Sequence, residues 1–222
     1  MPIQKQPTGA FSSYYGCLIM IAAILVFGGI LGWTAFTMFS QNRTFAELAQ
    51  DQPADLGHTP LSASDQSILD EKLATFAKAT TSGTEASLPL NLAELNALLA
   101  MAPDTGNGSY SDLVRFTGTD VTAQTLVANV SLPIRKLPWE DGFRYLVGTA
   151  SFTFSDTPDG IEANLSQLTI PGKTPPDGFE EAMAFWSWVA PYRKTDPLGP
   201  VLHSIHSIQI TPTGLTVSTS AP

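Results

Sequence analysis

The chain has 222 residues, 43% of them hydrophobic and 14% charged, with a formal net charge of −9. All 20 acidic residues lie after position 40, beside ten of the 11 Lys and Arg, so that part carries a net charge near −10. A field of that sign disfavours nucleic acid as a partner and close docking onto an anionic lipid surface. The single cysteine, Cys17, excludes a disulfide framework and a thiolate metal site, and an export-compatible domain without cysteine fits a bacterial envelope.

From Gly16 to Phe39 the sequence reads GCLIMIAAILVFGGILGWTAFTMF, with no charge between Lys5 and Arg43. At ~1.5 Å per residue such a helix covers the ~30 Å of a bilayer's hydrocarbon with some tilt to spare. Tyr14 and Tyr15 at one end and Trp33 near the other suit interfacial belts. The rival reading is a cleavable signal peptide, but the run is longer than an h-region and no small-x-small site follows it. Cys17 sits at the start of the run rather than after it, the wrong order for a lipidated cysteine, and Gly28 and Gly32 form a GxxxG spacing open to helix pairing. The expected organisation is a cytoplasmic tail at 1–13, a transmembrane helix at 14–40 and a juxtamembrane linker at 41–61. An extracytoplasmic domain follows at 62–222, of ordinary single-domain size.

Ser62 and Asp65 form a capping pair that predicts a helix from Ala63 to about Thr80, with Leu69, Leu73, Phe76 and Ala77 on one face. In LPLNLAELNALLAMAP, Asn91 caps a second helix and Glu94 completes the capping box. Leu92, Leu95, Leu98 and Leu99 make its stripe, and Pro103 ends it. Asn96 reads as a helix-edge amide bonded to a neighbouring loop or strand, against the alternative of a ligand contact.

After Pro103 the apolar period changes to two. Strands are expected at Tyr110–Thr117 and Val121–Ile134 around a turn at Thr117–Asp120, then at Phe143–Ser155 and Ile161–Ile170 around a turn at Asp156–Gly160. The phase slips between Leu165 and Leu168, which predicts a bulge. A helix is expected over 178–192, and a last hairpin over Ile205–Thr211 and Gly214–Ser220. Hairpin-sized connections imply antiparallel pairing. The fold class is α+β, a curved antiparallel β-meander sheet with two or three packed helices after the transmembrane helix.

His203 and His206 stand three apart where the chain leads into a strand, a geometry that does not converge on zinc. Asp156, Asp159 and Glu162 lack the spacing of a calcium loop, and no HExxH, GxSxG, P-loop or GxGxxG occurs. No metal or cofactor is expected. The helix over 178–192 is unusual in carrying two apolar faces. Phe179, Ala182, Met183, Trp186 and Val189 suffice to cover a sheet, which leaves Phe185, Trp188 and Tyr192 as a candidate binding surface, with extra internal packing as the alternative.

Leu90, Glu94, Leu95 and Asn96 match an x-L-x-x-x-E-L-N helix, and in this the chain resembles the YpmS-like group of bacterial envelope proteins. That resemblance implies an N-terminal membrane helix, an extracytoplasmic α+β domain and no established chemistry. The expected function is a non-catalytic module, held in the bilayer through 14–40, that binds a protein partner or hydrophobic ligand. The alternative is a membrane-anchored hydrolase whose carboxylates meet only in the fold.

Overall fold

The computed structural model describes residues 43, 44, 46–102, 109–136, 141–157, 160–175, 177, 179 and 202–219. The chain divides into two compact units, Met1–Glu47 and Leu48–Pro222. The first is described only at its end, where Arg43 Nε donates to Glu47 Oε1 at 3.1 Å in an exposed pair one helical turn apart. The expected transmembrane helix at 14–40 lies outside the described residues, as do Phe185, Trp188 and Tyr192. Among the described residues no helix is long and apolar enough to cross a membrane.

Helix α1, Ala63–Thr81, starts where Ser62 Oγ accepts from Asp65 N at 3.1 Å and buries Leu69 and Phe76. Strand β1, Ser87–Asn91, alternates exposed and buried, with Leu88 and Leu90 inward. Sequence patterning missed it, because two leucines around a proline look like the approach to the next helix. That helix, α2 (Leu92–Met101), begins with the expected capping box: Glu94 N donates to Asn91 Oδ1 at 2.9 Å and Asn91 N to Glu94 Oε2 at 2.8 Å.

One turn of helix, α3 (Tyr110–Leu113), leads into β2 (Val114–Asp120), so the strand starts later than its alternation suggests. Where a turn is expected at Thr117–Asp120, Thr117 is a bulge and Gly118–Asp120 stay paired with β3; the chain reverses over 121–124 instead. There Asp120 Oδ1 accepts from Ala123 N at 2.9 Å and Gln124 Nε2 donates to Val121 O at 2.7 Å. These local bonds override the β-propensity of Val121.

Strands β3 (Thr125–Arg135), β4 (Phe143–Thr157) and β5 (Gly160–Thr169) complete a four-stranded antiparallel meander in the order β2-β3-β4-β5. The predicted bulge is real: Ser151 faces Gln167 while Phe152 faces Leu165, which leaves Ser166 over and lets Leu165 and Leu168 both point inward.

The closing hairpin, β6 (Ile205–Thr211) and β7 (Gly214–Thr219), does not join that sheet. It pairs with β1 in a second, three-stranded antiparallel sheet of order β1-β7-β6, so the single sheet expected from the sequence is two. Gly214 faces Asn91, and a Cβ there would lie 2.0 Å from Leu90 O. No larger residue fits this close crossing. A core of Leu69, Phe76, Leu88, Leu95, Ile210 and Val217 is shared by α1, α2 and the three-stranded sheet, and Leu126 and Ile161 of the meander join it.

Candidate functional site

Two β-edges in this unit are met at particular residues by polar side chains from helices. Ala86 O and Leu92 N bond towards the β7 side, to Thr219 N and Thr213 O at 3.0 Å each. Ladder alternation therefore turns the N–H and C=O groups of Ser87, Pro89 and Asn91 the other way, towards α1. Pro89 has no N–H, its carbonyl lies 3.5 Å from Lys72 Nζ, and Asn91 N is taken by Glu94. Lys72 Nζ also donates to the buried Glu94 Oε1 at 2.6 Å, so one carboxylate ties α1, β1 and α2 together. The capping half of this role was visible in the sequence. The ion pair, 22 residues apart, was not.

Asn96 does the same for β2. Its Oδ1 accepts from Phe116 N at 2.8 Å and its Nδ2 donates to Phe116 O at 2.9 Å, as a neighbouring strand would. The amide is thus bonded to a strand, as expected, and is not free for a ligand.

Two concavities flank these seals. The first, about 340 Å³, is a groove between α1 and β1 lined by Ile68, Thr75, Phe76, Ala79, Leu88 and Pro89. Ile68 is half exposed there, next to the buried Leu69 rather than on the predicted apolar stripe. The second, about 430 Å³, lies between residues 58–62, the first turn of α2 and β2, and includes His58, Asp65, Asn96 and Arg115. Most of its polar groups are committed to the fold. Asp65 Oδ2 accepts from Ser62 Oγ at 2.6 Å, Arg115 Nη1 donates to Leu56 O at 2.6 Å, and Asn96 holds Phe116. The Ser62 hydroxyl and Asp65 serve the N-terminal cap of α1.

His206 on β6 faces Asp156 on β4, Nδ1 to Oδ2 at 3.7 Å, with both side chains well exposed. Asp159, the middle carboxylate of the Asp156–Glu162 set, lies outside the described residues. Among the described residues no group of three His, Cys, Asp or Glu could hold a metal ion. Burial raises the pKa of the Tyr110 phenol above its usual value. Tyr110 sits in α3 beneath the sheet, so this reflects packing rather than a reactive site.

The linker expected over 41–61 is packed against the meander from Leu48 onward. Gln50 N donates to Tyr145 O at 2.8 Å and Tyr145 N to Gln50 O at 2.7 Å, which adds one bridge to β4. Ala54 N donates to Ser131 Oγ at 3.0 Å, and Lys173 Nζ to Leu48 O at 3.2 Å. Asp55 Oδ1 accepts from Gly57 N at 2.8 Å in a tight turn with Gly57 at φ 65°, where a Cβ would press on Arg115 Nη1. No signal in the sequence marks this strap, because its main bonds run through backbone atoms. Compared with protein-family models, curated proteins and solved structures, the chain matches none.

Proposed function

We propose that this chain is a single-pass membrane protein of a bacterial cell envelope, with a cytoplasmic N-terminus and an extracytoplasmic α+β domain. In this reading the domain is a non-catalytic module that binds a protein partner or a hydrophobic ligand. The observation that carries the binding part is the α1–β1 groove, which sets Ile68, half exposed, above Phe76 and Leu88. Lys72 and Glu71 also stand on its wall, Lys72 already paired with Glu94, so the groove offers apolar contact beside one carboxylate. The uncharged run from Gly16 to Phe39 supports the anchor, and the resemblance to YpmS-like proteins at Leu90, Glu94, Leu95 and Asn96 supports the compartment. Phe185, Trp188 and Tyr192 are a second candidate surface, from their surplus on a two-faced helical pattern.

A photo-crosslinking amino acid placed at Ile68 or Trp188 in living cells tests the binding reading, with exposed Ser166 as control. A discrete adduct from Ile68 or Trp188 and none from Ser166 is the expected result; no adduct from either position overturns it. Protease added to spheroplasts should remove the domain and leave a membrane-bound stub. A mature N-terminus near residue 40 would instead establish a cleaved signal peptide. Finally, Trp188→Ala with Phe185→Ala should abolish the domain's function while changing stability by under about 1 kcal/mol. A loss of roughly 3–5 kcal/mol per ring would assign both rings to the core.

A further inference from the structure

We infer that residues 48–57 form a strap that opens by itself while the rest of the domain stays folded. From Ala49 to Gly57 the chain has no helix or strand beyond the bridge at Gln50. Its apolar anchors, Leu48 and Ala49, sit at one end, 5% and 9% exposed. From Asp51 to Gly57 only Ala54 and Leu56 are even half-buried. What holds this stretch is polar: the Gln50–Tyr145 pair, Ala54 N on Ser131 Oγ and Arg115 on Leu56 O. The ion pair of Lys136 with Asp51 is long, 3.8 Å, and its carboxylate is 81% exposed. A segment with few buried apolar contacts and backbone bonds within reach of water opens locally, well before global unfolding. The strands beneath it are of the opposite kind, with Val130 and Leu146 fully buried.

Opening would uncover two things. Ser131 projects from the face opposite Val130 and Leu132, yet it is fully buried, and the strap donates to its hydroxyl. The second is a β-edge. The pairing of β4 with β5 stops at Thr149–Thr169, whereas its pairing with β3 continues to Phe143. Beyond that stop, Gln50 meets the outer edge of β4 at Tyr145. Lifting Gln50 frees the Tyr145 N–H and C=O, and an open strand edge is a template for pairing. The strap continues directly into residues 43–47, so a displacement of the chain there reaches Gln50 only after it has drawn on the buried anchors Leu48 and Ala49. That last consequence rests on the anchored reading above; the opening itself does not.

Hydrogen exchange on the full-length protein in detergent micelles decides the matter. The amides of Gln50, Ala54 and Tyr145 should exchange at least about 100-fold faster than those of Leu132 and Leu146, which face each other in the β3–β4 ladder. A second readout uses Ser131→Cys in a Cys17→Ala background. The thiol should be modified faster than Leu146 exchanges, and Gln50→Pro, which removes the donor to Tyr145 O, should accelerate modification about tenfold without altering Leu146. If the strap amides exchange at the Leu146 rate in the unaltered sequence, the strap opens only with the whole domain and the inference fails. That measurement stands even if a substituted chain does not fold.

Discussion

On the three-stranded sheet, the outer edge of β1 meets side chains: Pro89 withholds a donor, Glu94 caps Asn91, and Lys72 reaches the Pro89 carbonyl. On the meander, the edge of β2 is met by the Asn96 amide, while the unpaired half of β4 is met by a backbone, that of Gln50. The first two seals belong to helices whose other faces carry Leu69, Phe76 and Leu95 into the core. The third belongs to an exposed strap with one buried end. An edge closed by a core helix opens only when the helix leaves. One closed by a strap opens at the cost of a few polar bonds.

If that contrast is right, substitutions at the helix seals should cost far more than those at the strap. Asn96→Leu should be the most damaging. It leaves Phe116 N–H and C=O without their partners in a half-buried site, a loss of about 3 kcal/mol when each stranded group costs ~1–3. Thermal unfolding would register this as a drop of very roughly 6–12 °C for a domain of this size. A loss below 1 kcal/mol would mean that water replaces the amide and that β2 is not sealed.

Glu94→Ala should come next, at about 2–3 kcal/mol. It removes a helix cap and the partner of Lys72, but the Lys72 side chain is 34% exposed and can rehydrate, so the ~3–5 of a fully buried broken pair is not reached. Urea unfolding at neutral pH measures it, and an effect as small as that of the strap substitutions would break the comparison.

Ser131→Ala should cost about 1 kcal/mol, the ordinary net worth of one hydrogen bond, and should speed exchange of the Ala54 amide more than that of any core amide. Smallest of all, Asp51→Asn should change stability by no more than about 0.5 kcal/mol, an effect that 1 M salt removes, because the pair with Lys136 is long and its carboxylate exposed. A larger cost would show the strap to be held as firmly as the helices are.

Much of the fold is legible in the residues themselves. Both long helices begin at their predicted caps, Ser62 and Asn91, since a cap acts on backbone N–H groups three residues away. Strand alternation located the meander strands and the last hairpin, and the phase slip marked the bulge at Ser166. Less of the candidate site could be read. Ile68 lies off the stripe through Leu69, Leu73 and Phe76, and Leu88 was hidden in a strand of five residues that resembles a helix approach. The turn after β2 was misplaced because Asp120 and Gln124 bond locally where Val121 suggested a strand.

By itself, then, the sequence determined what depends on neighbours along the chain: the caps, the periods of two and 3.6, the bulge, and the acidic balance. Only the tertiary structure decided how those elements meet. Ser87 pairs with Ser218 and Gln50 with Tyr145, contacts between backbone groups that every residue carries and that no side-chain pattern announces. That is why one expected sheet is two, and why a stretch rich in Pro, Gly and acids is a strap across a sheet rather than a tether. Pairing partners far apart in sequence are selected by which arrangement buries Leu126, Leu146 and Leu165 together, a property of the packed whole.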